Sequence, residues 1–448
     1  MTARLATFAV EAQPPAAARV RAAAAILDTV GVTLAGSSEP AARIVQRVVV
    51  PMAPSAHGDA CRIFGARVTT TAPDAALANG TAAHALDYDD MCFVSLAHSS
   101  APLVSAALAA GELAHASGRA LLDAYIVGFE IEARLGALMN PRHYQRGWHC
   151  TSTIGTIGAA AAASRLLGLD AATMSHALAI AASEASGLKE NFGTMVKPLH
   201  AGLAARNGVM AALLAQAGMT ASAQAIDGPQ GFLQAMDSEG QSLAGASSDL
   251  GVRWEILDTG ITVKLYPSCA GTHPTLDAIL ALRETEGFTA DDVERIEIGV
   301  DSMTPTVLIY ERPASGLEAK FSMPFCAAAA VVHGRVGIDT FDAPSLTDER
   351  VVQLMPRVVM RVDPSLDGKG PALTQARVSI QLRDGRRVSR DANGARGYPE
   401  RPASDAELDA KFTACAGRAL PTDAAMRALL MLRRIEALGD VRGLTEAL

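Results

Sequence analysis

Asn191-Phe-Gly-Thr-Met-Val-Lys197-Pro-Leu-His200-Ala-Gly-Leu-Ala-Ala-Arg206-Asn-Gly208 places a lysine and a histidine at the mouth of an Ala/Gly/Leu-rich segment. Pro198 suits the first turn of a helix, where its missing N–H loses no partner. Lys197 then stands just before the helix, at the positive end of its macrodipole, a place that attracts anions. Such a lysine could hold a carboxylate or give up its own proton. At a helix mouth it has little packing to lose, so its removal is expected to leave the fold intact. The segment behind it is built from alanine, the best helix former, and from small residues that let helices approach closely.

The same chemistry pervades the chain. Nearly half of the 448 residues are apolar (49%) while aromatics are only 4%, which favours tightly packed helices. The length exceeds what one small core needs and predicts two domains. A net charge of −8 argues against nucleic acid or an anionic membrane as partner, and it means that an anionic substrate needs a local cluster of cations. The N-terminal segment carries Glu11 and no uninterrupted apolar core, and no apolar run is long enough to span a membrane. Six cysteines, widely spaced and without a C-x-x-C pair, read as reduced thiols. A cytoplasmic protein is expected.

Helical spacing dominates to about residue 260, as in Ala17–Val30, Ser105–His115 and Thr156–Gly168. The pattern changes after about residue 290. Val293–Val300 alternates strictly, Arg377–Val388 alternates through an Asp384-Gly385 turn, and Val358–Asp363 reads as a third strand. Met323–Val332 and Thr347–Met355 read as helices between them, the second with Thr347 as N-cap. Helix returns from Asp405 to Leu448. An α+β segment is therefore inserted between helical parts.

Chemistry-bearing residues cluster in four further segments: Asn79-Gly-Thr-Ala-Ala-His84-Ala-Leu-Asp87-Tyr-Asp89-Asp90, Ala97-His98-Ser99-Ser100-Ala101-Pro102, Arg146-Gly-Trp148-His149-Cys150, and Val263-Lys264-Leu-Tyr266-Pro-Ser268-Cys269. His84 and Asp87, three apart, share a helix face. Asp89 and Asp90 point elsewhere and read as helix caps, and no second ligand cluster accompanies them, so no metal is expected. Scattered thiols exclude an iron–sulfur cluster, the Gly155/Gly158 run lacks dinucleotide spacing, and no phosphate-cradling loop accompanies the lysines. A site without cofactor is expected. Tyr144 and Arg146 add a phenol and a planar guanidinium suited to a carboxylate.

In their order and spacing these five segments resemble the MmgE/PrpD family of 2-methylcitrate dehydratases, cis-aconitate decarboxylases and iminodisuccinate epimerases. The resemblance implies a mainly α fold: a large all-helical domain from both chain ends (1–265 and 400–448) and a smaller α+β lid (266–399), with the site between them. It makes Asp87 the carboxylate that orients a neighbouring histidine, and it gives His98, His149 and Lys197 catalytic positions. Lys264, Arg146, Tyr144 and His200 become substrate-binding positions. The chain departs from the decarboxylases at Cys269, where they carry histidine, and at Phe325, where they carry tyrosine. Cysteine is itself an acid/base. These departures point to an epimerase of an amino dicarboxylate such as iminodisuccinate, working by proton abstraction next to a carboxylate. The alternative is a 2-methylcitrate dehydratase or decarboxylase-like lyase acting on a tricarboxylic acid. The Ala-rich helical surface suggests a homodimer.

Overall fold

The Ala-rich periodicity becomes a stack of helices in the computed structural model, which describes residues 2–50, 60–236, 248–367 and 375–448. In chain order these begin α1 (Thr2–Glu11), α2 (Ala16–Gly36) and α3 (Pro40–Val49), followed by strands β1 (Cys61–Ile63) and β2 (Val68–Thr70). Then come α4 (Ala72–Ala85), α5 (Ser100–Ala114), α6 (Gly118–Met139), α7 (Arg142–Gln145), α8 (Cys150–Leu166), α9 (Ala171–Glu184) and α10 (Val196–Gln216). The chain divides into two compact units. The first takes the residues up to Asn191, Met195–Thr262 and Ser404–Leu448; the second takes Phe192–Thr194 and Val263–Ala403.

In the first unit α10 packs against both α4 and α8. Every residue of α5 from Ser100 to Glu112 is buried, which marks it as a central helix with no solvent face. Ala83, Ala101 and Ala201 form a small apolar cluster where α4, α5 and α10 meet. Glycine permits the closest contact. A Cβ on Gly80 would lie 2.9 Å from the Gly202 Cα, and one on Gly202 would strike Thr81 Oγ1 and the Leu77 carbonyl. The crossing of α4 and α10 therefore has no room for a side chain, and it sets His84 opposite Lys197. Helix Asp405–Ala416 closes the unit by packing on α2.

The second unit holds a four-stranded sheet in the order β4-β3-β5-β6, made of β3 (Val293–Val300), β4 (Val358–Val362), β5 (Gln375–Leu382) and β6 (Arg387–Asn393). β3 pairs parallel to β4 and antiparallel to β5, and β5 and β6 are joined through Gly385 at φ +91°. Helices His273–Glu286 and Met323–His333 pack with each other, the first also on β5 and β6 and the second on β4.

The structure corrects the expected fold class. It is mainly helical, but the helical unit is not all-helical: it carries the antiparallel β1–β2 hairpin, paired from Cys61–Thr70 to Ile63–Val68. The strands are three residues each, too short for alternation to reveal them. The second unit is an α+β body with its own sheet, and its structure does not define it as a lid. Helix Glu349–Leu354 is capped by Asp348 rather than Thr347, because the Asp348 carboxylate accepts from the Arg350 amide. Among the described residues no single helix is long and apolar enough to cross a membrane.

The glycine crossing is directly testable. Gly202→Ala adds one methyl against backbone that cannot retreat, and overpacking of this kind costs about 1–3 kcal/mol. Denaturant unfolding of the variant should show that loss; an unchanged midpoint would mean that the two helices part freely.

Candidate functional site

α4 ends at Ala85, and two residues later Asp87 adopts a left-handed conformation at φ +51°. Aspartate tolerates that region better than most residues, and a non-glycine held there at a cost marks a constrained segment. The reversal carries the chain back over the helix end, so Asp89 returns to His84 instead of pointing away. His84 Nδ1 lies 2.8 and 3.0 Å from the two Asp89 oxygens. This overturns the helix-cap reading of Asp89. Asp90 does cap a helix from afar: its Oδ1 accepts from the amide of Ser100, the first residue of α5, at 3.2 Å.

Lys197 closes the arrangement from α10. The helix begins at Val196, so Lys197 sits inside its first turn rather than before it. Its Nζ donates to Asp87 Oδ1 at 2.6 Å and lies 2.8 Å from His84 Nε2. Since an ammonium only donates, His84 Nε2 must be the bare nitrogen, and the His84 proton sits on Nδ1, aimed at Asp89. Burial, reinforced by Lys197 and His98, pushes the His84 imidazole down to about 3 against the pull of Asp89, consistent with a neutral ring. Burial would raise the Asp89 carboxyl, but His84 and His98 outweigh it and hold Asp89 below the usual range.

His98 enters from the loop before α5, where its amide donates to Thr151 Oγ1 of α8 at 3.0 Å. Its Nδ1 lies 3.2 Å from Asp89 Oδ2 and its Nε2 lies 3.8 Å from Asp87 Oδ1. The His84 and His98 rings meet edge-on at 4.5 Å, and the His149 ring stacks with that of His84 at 5.7 Å. His149 Nδ1 lies 3.0 Å from Nδ1 of His200 on α10. The first unit thus unites Asp87, His98, Lys197, His149 and His200, with His84 at the centre, and all are buried.

Arg146 is exposed in the loop after α7, and the Tyr144 ring lies beneath Lys189 Nζ, 3.6 Å away. Lys264 and Cys269 belong to the second unit, both buried. The Cys269 amide donates to the Lys320 carbonyl at 3.0 Å, and Lys320 Nζ donates back to the Pro267 carbonyl at 2.8 Å, pinning the motif. Phe325 is buried against Phe341.

Donor atoms of His84, Asp87, Asp89 and His98 lie within 4.8 Å of one another, so on spacing alone they could hold a cation. Lys197 already donates into two of those four groups. A metal ion on the same atoms would have to displace a buried ammonium whose charge it would repel. The donor set fits a lysine-centred cluster better than a metal centre.

Behind this cluster lies a second buried set that sequence reasoning missed. Lys411, on helix Asp405–Ala416, pairs with Asp28 at 2.7 Å, donates to the Tyr88 carbonyl at 2.8 Å and lies 4.0 Å from the Tyr88 ring centre. Tyr88 stands between the two site aspartates, so Lys411 holds their loop. Asp90 also bonds Ser100 Oγ, which lies 2.6 Å from the Tyr125 hydroxyl. Burial pushes the Asp90 carboxyl up to about 8; Ser100 opposes the rise, while Asp28 and Asp89 add to it. Only a partner 323 residues away reveals the Lys411 contact.

Two stability predictions follow from this geometry. The burial of Lys197 reverses the expectation that it has little to lose. Lys197→Met strands the Asp87 charge and should cost about 3–5 kcal/mol, with Asp87→Asn in the same chain recovering much of it. Additive losses in that double-mutant cycle would mean that the two side chains do not interact. For Asp90, the native state holds a proton that the unfolded chain releases above its usual value of 3.8, so stability falls as pH rises from there to about 8. Asp90→Asn mimics the protonated acid, and its unfolding free energy should decline less with pH across that window; an unchanged slope would refute a protonated Asp90.

Comparison with known proteins places the chain in a family. Residues 3–243 match the MmgE/PrpD N-terminal domain and residues 266–437 match the MmgE/PrpD C-terminal domain. The chain is 31% identical over 387 residues to the cis-aconitate decarboxylase of Mus musculus, covering 84% of this chain and 78% of that protein. It is 28% identical over 449 residues to the cis-aconitate decarboxylase of Homo sapiens, with 94% and 88% covered. It is 26% identical over 412 residues to that of Aspergillus terreus, with 87% and 84% covered. With both domain matches and relatives that align along most of its length, the chain belongs to the MmgE/PrpD family.

Proposed function

We propose that the protein is a cofactor-independent lyase acting on a tricarboxylic acid, releasing carbon dioxide or water by proton transfer at a carbon next to a carboxylate. The observation that carries this reading is the buried cluster in which Lys197, His84 and His98 surround Asp87 and Asp89. It is supported by relatives named cis-aconitate decarboxylases. They favour the lyase reading over the epimerase expected from Cys269 and Phe325.

The chemistry asks for a cation to receive carboxylate, a proton donor or acceptor, and a dry setting. Lys197 supplies the cation, held by Asp87 so that its charge faces a fixed direction. Loss of carbon dioxide leaves an electron pair on carbon that one proton must meet; loss of water removes a C–H proton and protonates the departing hydroxyl. His98 and His149 are the proton-transfer groups, imidazoles able to serve as donor or acceptor. Asp89 orients the imidazoles of His84 and His98. Lys264, Arg146 and Tyr144 are further proposed contacts for the remaining carboxylates, on their motif positions. Cys269 and Phe325 favour a second reading, epimerisation, in which the thiol returns a proton to the same carbon.

Incubation in D₂O with cis-aconitate, 2-methylcitrate and iminodisuccinate, followed by NMR, separates these readings. The lyase should turn over one of the tricarboxylates, giving carbon dioxide or a new alkene. Exchange or inversion at one carbon of iminodisuccinate, with mass otherwise retained and both tricarboxylates untouched, would replace the lyase with the epimerase. No reaction with any of the three would refute both.

A further inference from the structure

We propose that His149 and His200 act as one acid–base unit, with His200 the relay through which His149 exchanges its proton with water. The inference deepens the lyase reading and rests on it for the identity of the proton acceptor.

The argument begins with two nitrogens. His149 Nδ1 and His200 Nδ1 lie 3.0 Å apart, with ring centres 5.2 Å apart. Two lone pairs at that distance repel, and two N–H groups collide, so one proton lies between them. The imidazole that owns it has a bare Nε2, which is a base. The imidazole that accepts it must carry its own proton on Nε2, which is an acid. A neutral pair bonded in this way always presents one acid and one base. When the acid gives up its Nε2 proton and the base gains one on its own Nε2, the shared proton crosses the bond and the two rings exchange roles while the pair stays neutral.

The surroundings keep both rings neutral and in place. Burial, then the Lys197 ammonium, holds the His149 imidazole well below its usual value, and the same causes bring His200 down to about 4. His84 and His98 face His149 as well and add to its shift. His149 is the N-cap of α8, its amide bound to the Gly187 carbonyl at 3.0 Å. His200 lies in the second turn of α10, and Ser152 Oγ donates to its carbonyl at 3.3 Å. Gly187, at φ +120°, closes over both: a Cβ there would lie 2.7 Å from Ser152 Cβ and 3.5 Å from His200 Cγ.

The proton count balances. When a carboxylate leaves as carbon dioxide, its C–C bonding pair remains on carbon and takes the proton from the acidic Nε2 of His149. The shared proton then moves from His200 Nδ1 to His149 Nδ1, and His200 Nε2 takes a replacement from water. Substrate carboxylate plus one proton gives product plus carbon dioxide, and the pair stays neutral with its tautomers exchanged; once product leaves, a water proton taken up at His149 Nε2 sends the shared proton back, His200 Nε2 releases its own, and the starting tautomers return. A step that begins by abstracting a proton runs the same path in reverse.

The test reads the tautomers of the whole protein, labelled with ¹⁵N-histidine, by long-range ¹⁵N–¹H correlation at neutral pH. His149→Gln and His200→Gln assign the signals. One residue of the pair should be the Nδ1–H tautomer and the other Nε2–H; matching tautomers, or a charged ring in either, would overturn the proposal. This arm needs no substrate, so it stands or falls apart from the lyase reading. The second arm uses His200→Asn, whose amide can still bond His149 Nδ1 but cannot pass a proton on. With the tricarboxylate that is turned over, kcat should fall about 100-fold or more while KM stays nearly constant. Full kcat in His200→Asn would show that His200 only positions its neighbour, and the relay would be refuted. Variants that fail to fold leave the decision to the tautomer spectrum of the unmodified protein.

Discussion

The close approach of α4 and α10 at Gly80 and Gly202 governs the first unit. A lysine side chain reaches only a few ångströms beyond its backbone, and Lys197 must meet both His84, at the end of α4, and Asp87, just past it. Were the helices separated by ordinary side chains, the ammonium would fall short. The alanines at positions 83, 101 and 201 extend the same economy to α5. Small residues here fix the interhelical distance, and the distance fixes the chemistry.

That geometry concentrates charge where water is excluded. Asp87 and Asp89 are buried beside Lys197, and burial holds the His84 and His149 imidazoles below their usual value. Each charge is acceptable only because a partner stands within hydrogen-bond distance, since a buried ion left alone costs several kcal/mol. The left-handed Asp87 and the Lys411 contact to the Tyr88 carbonyl hold the loop that supplies both carboxylates. The site therefore depends on helix Asp405–Ala416 as much as on the segments that carry its reactive groups.

Neutral imidazoles give this arrangement its chemical character. His84 accepts from Lys197 and donates to Asp89, so both its nitrogens are committed to structure and it organises the cluster. His149 and His200 meet through one nitrogen apiece, and the proposed proton traffic runs through their Nε2 atoms. A histidine in the middle of a cluster is thus a frame, and those at its side do the exchanging.

Much of the fold was legible because it is local. Alanine spacing announces α2, α5 and α8, strict alternation announces β3 and β5, and Asp384-Gly385 announces their hairpin neighbour β6. The place of Lys197 at a helix mouth brought it forward, and motif order and the family resemblance added Asp87, His98 and His149. The β1–β2 hairpin was hidden because three-residue strands carry no period. Burial of Lys197, the return of Asp89 to His84, and Lys411 beneath Tyr88 were hidden for a different reason. Each joins residues that are distant in sequence or lie across a chain reversal, and local propensity carries no information about such meetings. The sequence by itself determined which groups were available and which segments would be helix or strand; tertiary packing decided which groups meet, because only the crossing of helices and the turn at Asp87 set the distances on which their charges and protons depend.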